Sequence, residues 1–461
     1  MYMQDTIAAI ATSPGLGGIA VIRVSGENAF LIVDKIFKMK KGKRLKEVSS
    51  HTIHYGHIYD VDSQTIVDEV LVSVMKAPNT YTRENIVEIN CHGGTISSQN
   101  TLQEVLKAGA RLADEGEFTK RAFLKGRIDL IQAEAVIDII NAKTNVKSKT
   151  AVKQLEGNLS KRIYKVRESL LRLTAHLQAA VDFPEEDIEE ITECQLKETI
   201  KKIEDDIDKI LKTADVGKII RDGLETVIVG KPNVGKSSLL NALLKDSRAI
   251  VTEVPGTTRD VIEEYINIKG IPIKIMDTAG IRETTDIVEK IGVEKSKALI
   301  ERAELVIFIF DTSEALTEED VNIKKLVEGK KVIILLNKSD LPSKIDDELL
   351  ESMFNNKDII KVSVKEGQGL SQLEDRIQEL FVSGDIHLDQ DIIVTNVRHK
   401  NALIKARKNL DQCIESLSIG MPIDMMSIDL KEAIESLGEI IGLTVSEEIV
   451  NQIFSQFCLG K

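Results

Sequence analysis

Gly230-Lys231-Pro232-Asn233-Val234-Gly235-Lys236-Ser237 is the stretch on which the fold turns. It satisfies G-x-x-x-x-G-K-[ST]. The apolar run Val227-Ile228-Val229 precedes it, and a helical pattern from Ser238 to Lys245 follows. A strand, a glycine-rich loop and a helix in that order form a phosphate cradle. The glycines let the backbone wrap the anion, while loop N–H groups and the helix N-terminus stabilise its charge. Lys236 is expected at the β- and γ-phosphates and the Ser237 hydroxyl on Mg²⁺.

Three further elements follow at suitable spacing. Asp277-Thr278-Ala279-Gly280 closes an apolar run, which puts Asp277 near the Mg²⁺ shell and the Gly280 N–H near the γ-phosphate. Asn337-Lys338-Ser339-Asp340 closes another. The Asp340 carboxylate can accept from both N1–H and the exocyclic amine of guanine, a donor pair that adenine lacks, so GTP is expected over ATP. Lys338 would lay its stem along the base, and Val362-Ser363-Val364 is a weaker match for a last base contact. Gly256-Thr257-Thr258-Arg259-Asp260 lies between the first two motifs, with Thr258 as the second protein ligand to Mg²⁺. Ile281 stands after Gly280, where Ras-like enzymes place a water-orienting glutamine. Glu283 is the nearest carboxylate able to take that role, or else is a solvated loop residue.

From about Thr226 to Phe381, strand and helix patterns alternate, as in a doubly wound α/β domain with a parallel sheet. The expected strands are Thr226–Val229, Ile271–Met276, Leu305–Phe310, Val332–Leu336 and Ile359–Val362. The first ~120 residues read as mixed α and β. Short β-branched runs recur there at Thr6–Ala11, Gly18–Val24, Glu69–Val74 and Ile86–Asn90, and a helical pattern covers Ile96–Gly109. From Asp129 to Asp182 there is no proline and one glycine, Gly157, and the pattern is of long helices. Helical patterning returns from about His387. The fold class expected is therefore multidomain α+β and α/β. It comprises an N-terminal mixed domain over 1–122, a helical domain over 123–220 and 384–461, and a P-loop domain over 221–383 inserted into it.

The chain has 461 residues, 42% hydrophobic and 29% charged, with a net charge of −13. That length suggests two to four domains at roughly 100–200 residues each. The acidity argues against broad coating of nucleic acid but leaves room for a local basic patch. Between Lys143 and Arg172 there are nine basic and two acidic residues. From Asp182 to Asp208 there are twelve acidic and three basic. The first stretch is either a solvated bundle face or a contact for an anionic partner. A second basic cluster is Arg398, Lys400, Lys405, Arg407 and Lys408. The four cysteines, Cys91, Cys194, Cys413 and Cys458, are far apart with no CxxC pair, so neither a disulfide scaffold nor structural zinc is expected. Cys91-His92 invites a metal reading, but neighbours in a strand face opposite ways. Cys458 is either a packing residue or a reactive thiol. No run reaches the ~18 apolar residues of a membrane span, and the N-terminus lacks the pattern of a secretory signal. A cytoplasmic protein with no membrane contact is expected.

The sequence resembles the TrmE family of tRNA-modification GTPases, of the TrmE-Era-EngA-YihA-Septin type, over essentially its whole length. The resemblance rests on Asp5-Thr6-Ile7-Ala8-Ala9-Ile10-Ala11-Thr12, Gly116-Glu117-Phe118-Thr119-Lys120-Arg121-Ala122-Phe123-Leu124 and Asp182-Phe183-Pro184-Glu185-Glu186-Asp187. Asp277 to Glu283 and the end Phe457-Cys458-Leu459-Gly460-Lys461 complete it. It implies an N-terminal folate-binding and dimerisation domain, a homodimer, and a heterotetramer with the flavoprotein MnmG. It also implies modification of C5 of the wobble uridine, position 34, of certain tRNAs to a (carboxymethyl)aminomethyl group. The carbon would come from a tetrahydrofolate derivative, 5-formyl- or methylene-tetrahydrofolate.

By the same resemblance Arg23, Glu88, Arg127 and Lys461 hold the folate, with Glu84 and Lys125 as neighbouring alternatives. Hydrolysis of GTP would need K⁺ on Asn233, Thr252, Val254 and Thr257, with Glu283 activating water. The nucleotide contacts would be Asn233, Val234, Gly235, Lys236, Ser237, Ser238, Thr252, Glu253, Val254, Pro255, Gly256, Thr257, Thr258, Asp277, Thr278, Ala279, Gly280, Asn337, Lys338 and Asp340. Competing readings are a ribosome-assembly GTPase acting as an RNA-binding switch, and a folate-dependent aminomethyl transferase with a regulatory G domain.

Overall fold

The computed structural model describes residues 5–13, 15–39, 42–182, 192–246, 264–276, 297–345, 350, 353–354, 358–381, 392–421 and 423–461. The chain packs as two units. One is Met1–Ile137 with Gln154–Ala175 and Leu430–Lys461, and the other is Asp138–Lys153 with His176–Asp429.

The first unit is built on a sheet of seven strands, β1 (Ile7–Ile10), β2 (Ile19–Ser25), β3 (Phe37–Met39), β4 (Thr52–Tyr59), β5 (Ile66–Met75), β6 (Ile86–His92) and β7 (Arg111–Leu112). Their order is β3-β4-β5-β6-β2-β1-β7, antiparallel except where β1 meets β7. Along β5 buried residues alternate with more exposed ones, because an antiparallel sheet can keep one face wet. Helices α1 (Ala29–Ile36) and α2 (Thr95–Lys107) belong to this unit, and α1 packs Phe30, Val33 and Ile36 into a core shared with Ile22, Val72 and Ile89. Helix α3 (Glu117–Leu124) follows β7. Sequence patterning missed β4, where His54, Gly56 and His57 dilute the apolar alternation; pairing with β5 holds it extended.

The helical stretch resolves into α4 (Leu130–Ile140), α5 (Asn145–Leu155) and α6 (Asn158–Asp182), then α7 (Glu193–Leu211) and α8 (Ala214–Asp222). Thr192 and Gln195 form a reciprocal capping box that fixes the start of α7. Gly223 ends α8 at φ 87, where a Cβ would crowd the Tyr265 ring at 3.1 Å.

The second unit holds a six-stranded sheet of β8 (Leu224–Val229), β9 (Glu264–Ile268), β10 (Ile271–Ile275), β11 (Leu305–Asp311), β12 (Val332–Asn337) and β13 (Ile359–Lys361). The order is β13-β12-β11-β8-β10-β9, parallel except for the β9–β10 hairpin. Every residue of β11 and β12 is buried, as a central parallel strand covered on both faces requires. Helices α9 (Lys236–Asp246), α10 (Glu318–Leu326) and α11 (Leu370–Phe381) accompany this sheet. All five strands expected here are present within a residue or two, and β9 is the addition. Three last helices follow, α12 (Val397–Ser418), α13 (Ile423–Ile441) and α14 (Glu447–Phe454). Among the described residues no helix is long and apolar enough to cross a membrane.

Candidate nucleotide site and N-terminal polar cluster

Strand β8 lies between β11 and β10, so the loop after it opens at the point where strand order reverses, the usual ligand crevice of an open α/β sheet. Gly230, Asn233 and Gly235 take positive φ values of 151, 65 and 105. A Cβ on Gly230 would stand 2.4 Å from the Ile309 carbonyl, and one on Gly235 2.3 Å from Asn337 Nδ2. The glycines are therefore demanded by close approach as well as by backbone conformation.

Lys236 Nζ donates to the Gly230 and Lys231 carbonyls at 2.7 and 2.6 Å, which holds the ammonium inside the loop. Burial lowers its pKa, and Glu319 offsets that only in part. An anion in the loop would reverse the effect. Lys231 turns away to Asp320 at 2.9 Å. Asn233, Ser237 and Ser238 are exposed, whereas Val234 is buried.

The far side of the crevice is organised by Asn337. This buried side chain donates to the Val234 carbonyl at 2.8 Å and accepts from the Val364 N–H at 3.2 Å. It straps the phosphate loop to the base-side loop. Asp340 is exposed and accepts from the buried Ser363 hydroxyl at 2.6 Å, which lowers its pKa. Its carboxylate is thus aimed and ionised, as pairing with a guanine edge demands. Lys338, at φ 61, pairs through Nζ with Asp311. Burial alone would raise the Asp311 pKa, but hydrogen bonds from Lys338 and Ser313 outweigh it. Asp311 and Thr312 were not singled out by motif. Asp311 is the register partner of Asn337, and the Thr312 hydroxyl donates to the Asn337 and Lys338 carbonyls at 3.0 and 2.9 Å. The signal available was a buried strand ending in Asp-Thr-Ser. Thr252, Glu253, Val254, Pro255, Gly256, Thr257, Thr258, Asp277, Thr278, Ala279, Gly280 and Glu283 lie outside the described residues.

In the first unit, the four folate candidates converge. Arg23 on β2 stands opposite Glu88 on β6, with Nε and Nη2 at 2.9 and 2.8 Å from Glu88 Oε1. Arg23 Nη1 also donates to the Gly460 carbonyl at 3.2 Å, and the Lys461 carbonyl accepts from the Phe118 N–H at 3.1 Å. The Arg23 guanidinium lies 5.6 Å from the Tyr81 ring centre, and that of the exposed Arg127 lies 4.4 Å from the same ring. Tyr81, which motif reading passed over, is the hub. Arg127 also lines a cavity of about 1480 Å³ with Asp129, Tyr164 and Asn451.

The alternatives separate cleanly. Glu84 is buried and receives Ser25 at 2.8 Å and Lys125 at 3.0 Å, so both belong to the network around Arg121. Buried Arg121 reaches Asp5 at 2.6 Å, Glu117 at 2.8 Å and Glu84 at 3.3 Å.

Among the described residues no group of His, Cys, Asp and Glu could hold a metal. Cys91 points into the core, with burial raising its pKa, while the exposed ring of His92 pairs with Asp68 at 2.6 Å. Two members of the second basic cluster are paired with acids: Arg407 with Glu204, Asp208 and Asp411, and Lys400 with Asp215.

The doubly wound sheet and the glycine-rich loop at its switch point define a P-loop nucleotide-binding protein. Sequence comparison narrows the class. A family model described as MnmE helical domain matches residues 130–458, and one described as GTP-binding protein TrmE N-terminus matches 6–127. The tRNA modification GTPase MnmE of Thermoanaerobacter pseudethanolicus is 55% identical over 457 residues, 99% of each chain. Those of Alkaliphilus oremlandii and Clostridioides difficile are 54% and 52% identical over 461 residues, 100% of each chain. The chain belongs to the MnmE family.

Proposed function

We propose that this chain hydrolyses GTP and, as part of that work, modifies tRNA. The observation that carries the reading is the Asn337 strap, which ties the phosphate loop and the base-side loop into one cleft beside Asp340. Family membership supports it, because the relatives carry the name tRNA modification GTPase MnmE. In this reading Lys236 and the loop N–H groups bind the phosphates, Asp340 selects guanine, and Glu283 orients the attacking water. Asn233 and Ser237 offer exposed oxygens at the mouth of the loop, a donor type suited to hard cations. Mg²⁺ on Ser237 and Thr258, and K⁺ on Asn233, Thr252, Val254 and Thr257, would neutralise charge developing on the phosphates.

The finer reading also takes residues 1–122 as the tetrahydrofolate-binding and dimerisation domain, 221–383 as the GTPase domain, and 123–220 with 384–461 as the helical domain. The polar cluster suits a folate: Arg127 can accept a carboxylate tail, and the Arg23–Glu88 pair offers donors and an acceptor to a pterin. Such a cofactor would supply the one-carbon unit for C5 of the wobble uridine. The partners would be a second copy of the chain and MnmG, in the cytoplasm. Mass spectrometry of tRNA nucleosides tests the proposal. Wobble-uridine modification should vanish in a deletion strain and return with the wild type but not with Asp277→Ala. Unchanged nucleosides together with defective ribosome assembly would favour the RNA-switch reading instead.

A further inference from the structure

A cavity of about 390 Å³ lies within the second unit, apart from the phosphate loop. Asn141, Lys143, Lys147, Arg221, Lys274 and Asp222 line it, with Tyr265 on one wall. Four cations therefore face one carboxylate. All four are half-buried, so each has lost part of its hydration.

Arg221 and Lys274 have carboxylates nearby, whereas Lys143 and Lys147 are held differently. Arg221 Nε meets Asp138 at 3.4 Å, and Lys274 meets Glu225 at 3.6 Å, a carboxylate it shares with Arg302. Among the described residues, neither Lys143 nor Lys147 has a carboxylate in salt-bridge contact. Lys147 Nζ donates to the Arg221 carbonyl at 2.7 Å, and Lys143 Nζ sits 3.9 Å from the centre of the Tyr265 ring. Burial lowers the Lys147 pKa, and the neighbouring Arg221 and Lys143 charges add to that against Asp138 and Asp222. Gathering cations at the cost of mutual repulsion makes physical sense when an anion completes the set.

We infer that this cavity is a binding site for a phosphate group, held by Lys143, Lys147 and Arg221. A fork of guanidinium N–H donors beside two ammonium point charges matches tetrahedral phosphate oxygens. The volume falls within the range of small-ligand sites, so the group can belong to a free phosphorylated molecule or to an RNA backbone. The site joins three parts of the chain: the α4–α5 connection with the first turn of α5, the end of α8 and the β9–β10 hairpin. It is independent of the reading proposed above, because nothing in it depends on GTP hydrolysis or on folate.

The test uses the full chain saturated with GDP and Mg²⁺, so that the phosphate loop is occupied, titrated calorimetrically with inorganic pyrophosphate. Lys147→Gln and Lys143→Gln should each weaken pyrophosphate binding about tenfold, the worth of one charge-assisted hydrogen bond. Lys143→Arg should preserve it, and Lys202→Gln, at an exposed position of α7, should leave it unchanged. GDP affinity must be unaltered in every variant, which separates loss of this site from misfolding. Unfractionated tRNA that displaces pyrophosphate from wild type but not from Lys147→Gln identifies an RNA backbone as the source. Pyrophosphate binding that tRNA leaves untouched identifies a free phosphorylated molecule. Absence of pyrophosphate binding by the wild type at millimolar concentration, or equal binding by Lys147→Gln, would overturn the inference.

Discussion

Asn337 Nδ2 donates to the Val234 carbonyl at 2.8 Å across 103 positions of sequence, and both residues are buried. The amide that the family resemblance places among the nucleotide contacts is also the strap of the phosphate loop. Asn337→Ala should leave the buried Val234 carbonyl without its donor, at about 1–3 kcal/mol. GTP affinity should fall about tenfold, with the far-UV circular dichroism of the wild type retained. Affinity within twofold of wild type would show that the loop holds its shape unaided.

Asp340 predicts a switch of base preference. In Asp340→Asn the carboxylate proposed to accept two guanine donors becomes an amide with one oxygen and one NH₂. GTP binding should weaken roughly a hundredfold or more. Xanthosine triphosphate, with a carbonyl in place of the exocyclic amine, should bind the variant better than GTP does. Ser363→Ala, which removes the 2.6 Å hydrogen bond that aims Asp340, should cost about tenfold in GTP affinity without changing the preference. Competition titration with a fluorescent guanine nucleotide reads both.

Hydrolysis supplies a separate check. Replacing KCl by NaCl at constant ionic strength should slow GTP turnover by at least about tenfold, if a cation near the phosphates does part of the work of an arginine finger. Equal rates in the two salts would sink the potassium assignment. Glu283→Ala should keep GTP affinity and lose roughly 10²–10⁴ in turnover, the usual range for a general base.

Arg121 should be a stability residue. It is buried against Asp5, Glu84 and Glu117. Truncation to Met leaves carboxylates without their counter-charge, and about 3–5 kcal/mol should be lost in urea unfolding. The pH dependence has a definite sign. Burial pushes the Asp5 and Glu117 carboxyls up, but hydrogen bonds from Arg111 and Arg121 hold them below their ordinary values of 3.8 and 4.5. Their contribution is therefore present above those values and is lost as pH falls through the lowered folded ones. Wild type should lose stability below about pH 4.5 more steeply than Arg121→Met.

The thiols divide into two pairs. Cys413 and Cys91 are buried, and burial pushes the Cys413 thiol up to about 12. Cys194 and Cys458 are exposed. A thiol reagent at pH 8 should label two cysteines in the native protein and four in denaturant, as mass spectrometry of the intact chain can count. More than two rapid labels in native buffer would contradict this packing.

The strands of the nucleotide domain were legible because each is a nearly unbroken apolar run, the signature of a parallel sheet covered on both faces. Strand β9 was not, since Glu264, Tyr265 and Asn267 interrupt its pattern and its extension depends on pairing with β10. Likewise β4 owes its form to β5. Strand preference of this kind comes from neighbours rather than from the segment itself.

The amino-acid order alone settled the chemistry carried by contiguous residues. A loop that wraps phosphate, and a short motif that meets guanine, work through backbone N–H groups and side chains a few positions apart, so spacing is enough to read them. Folding had to settle everything built from distant residues. Arg23 meets the Gly460 carbonyl across 437 positions, Tyr81 gathers Arg23 and Arg127, and Glu84, in the bend before β6, is drawn away from Glu88 by Ser25 and Arg121. Arg407 in the basic cluster from Arg398 to Lys408 is paired where α12 meets the acids of α7, while Lys143 and Lys147 keep cationic heads around a cavity. Charge in a sequence is only a count. Whether it is cancelled depends on which surfaces packing brings within a few ångströms, where Coulombic attraction is strong enough to decide.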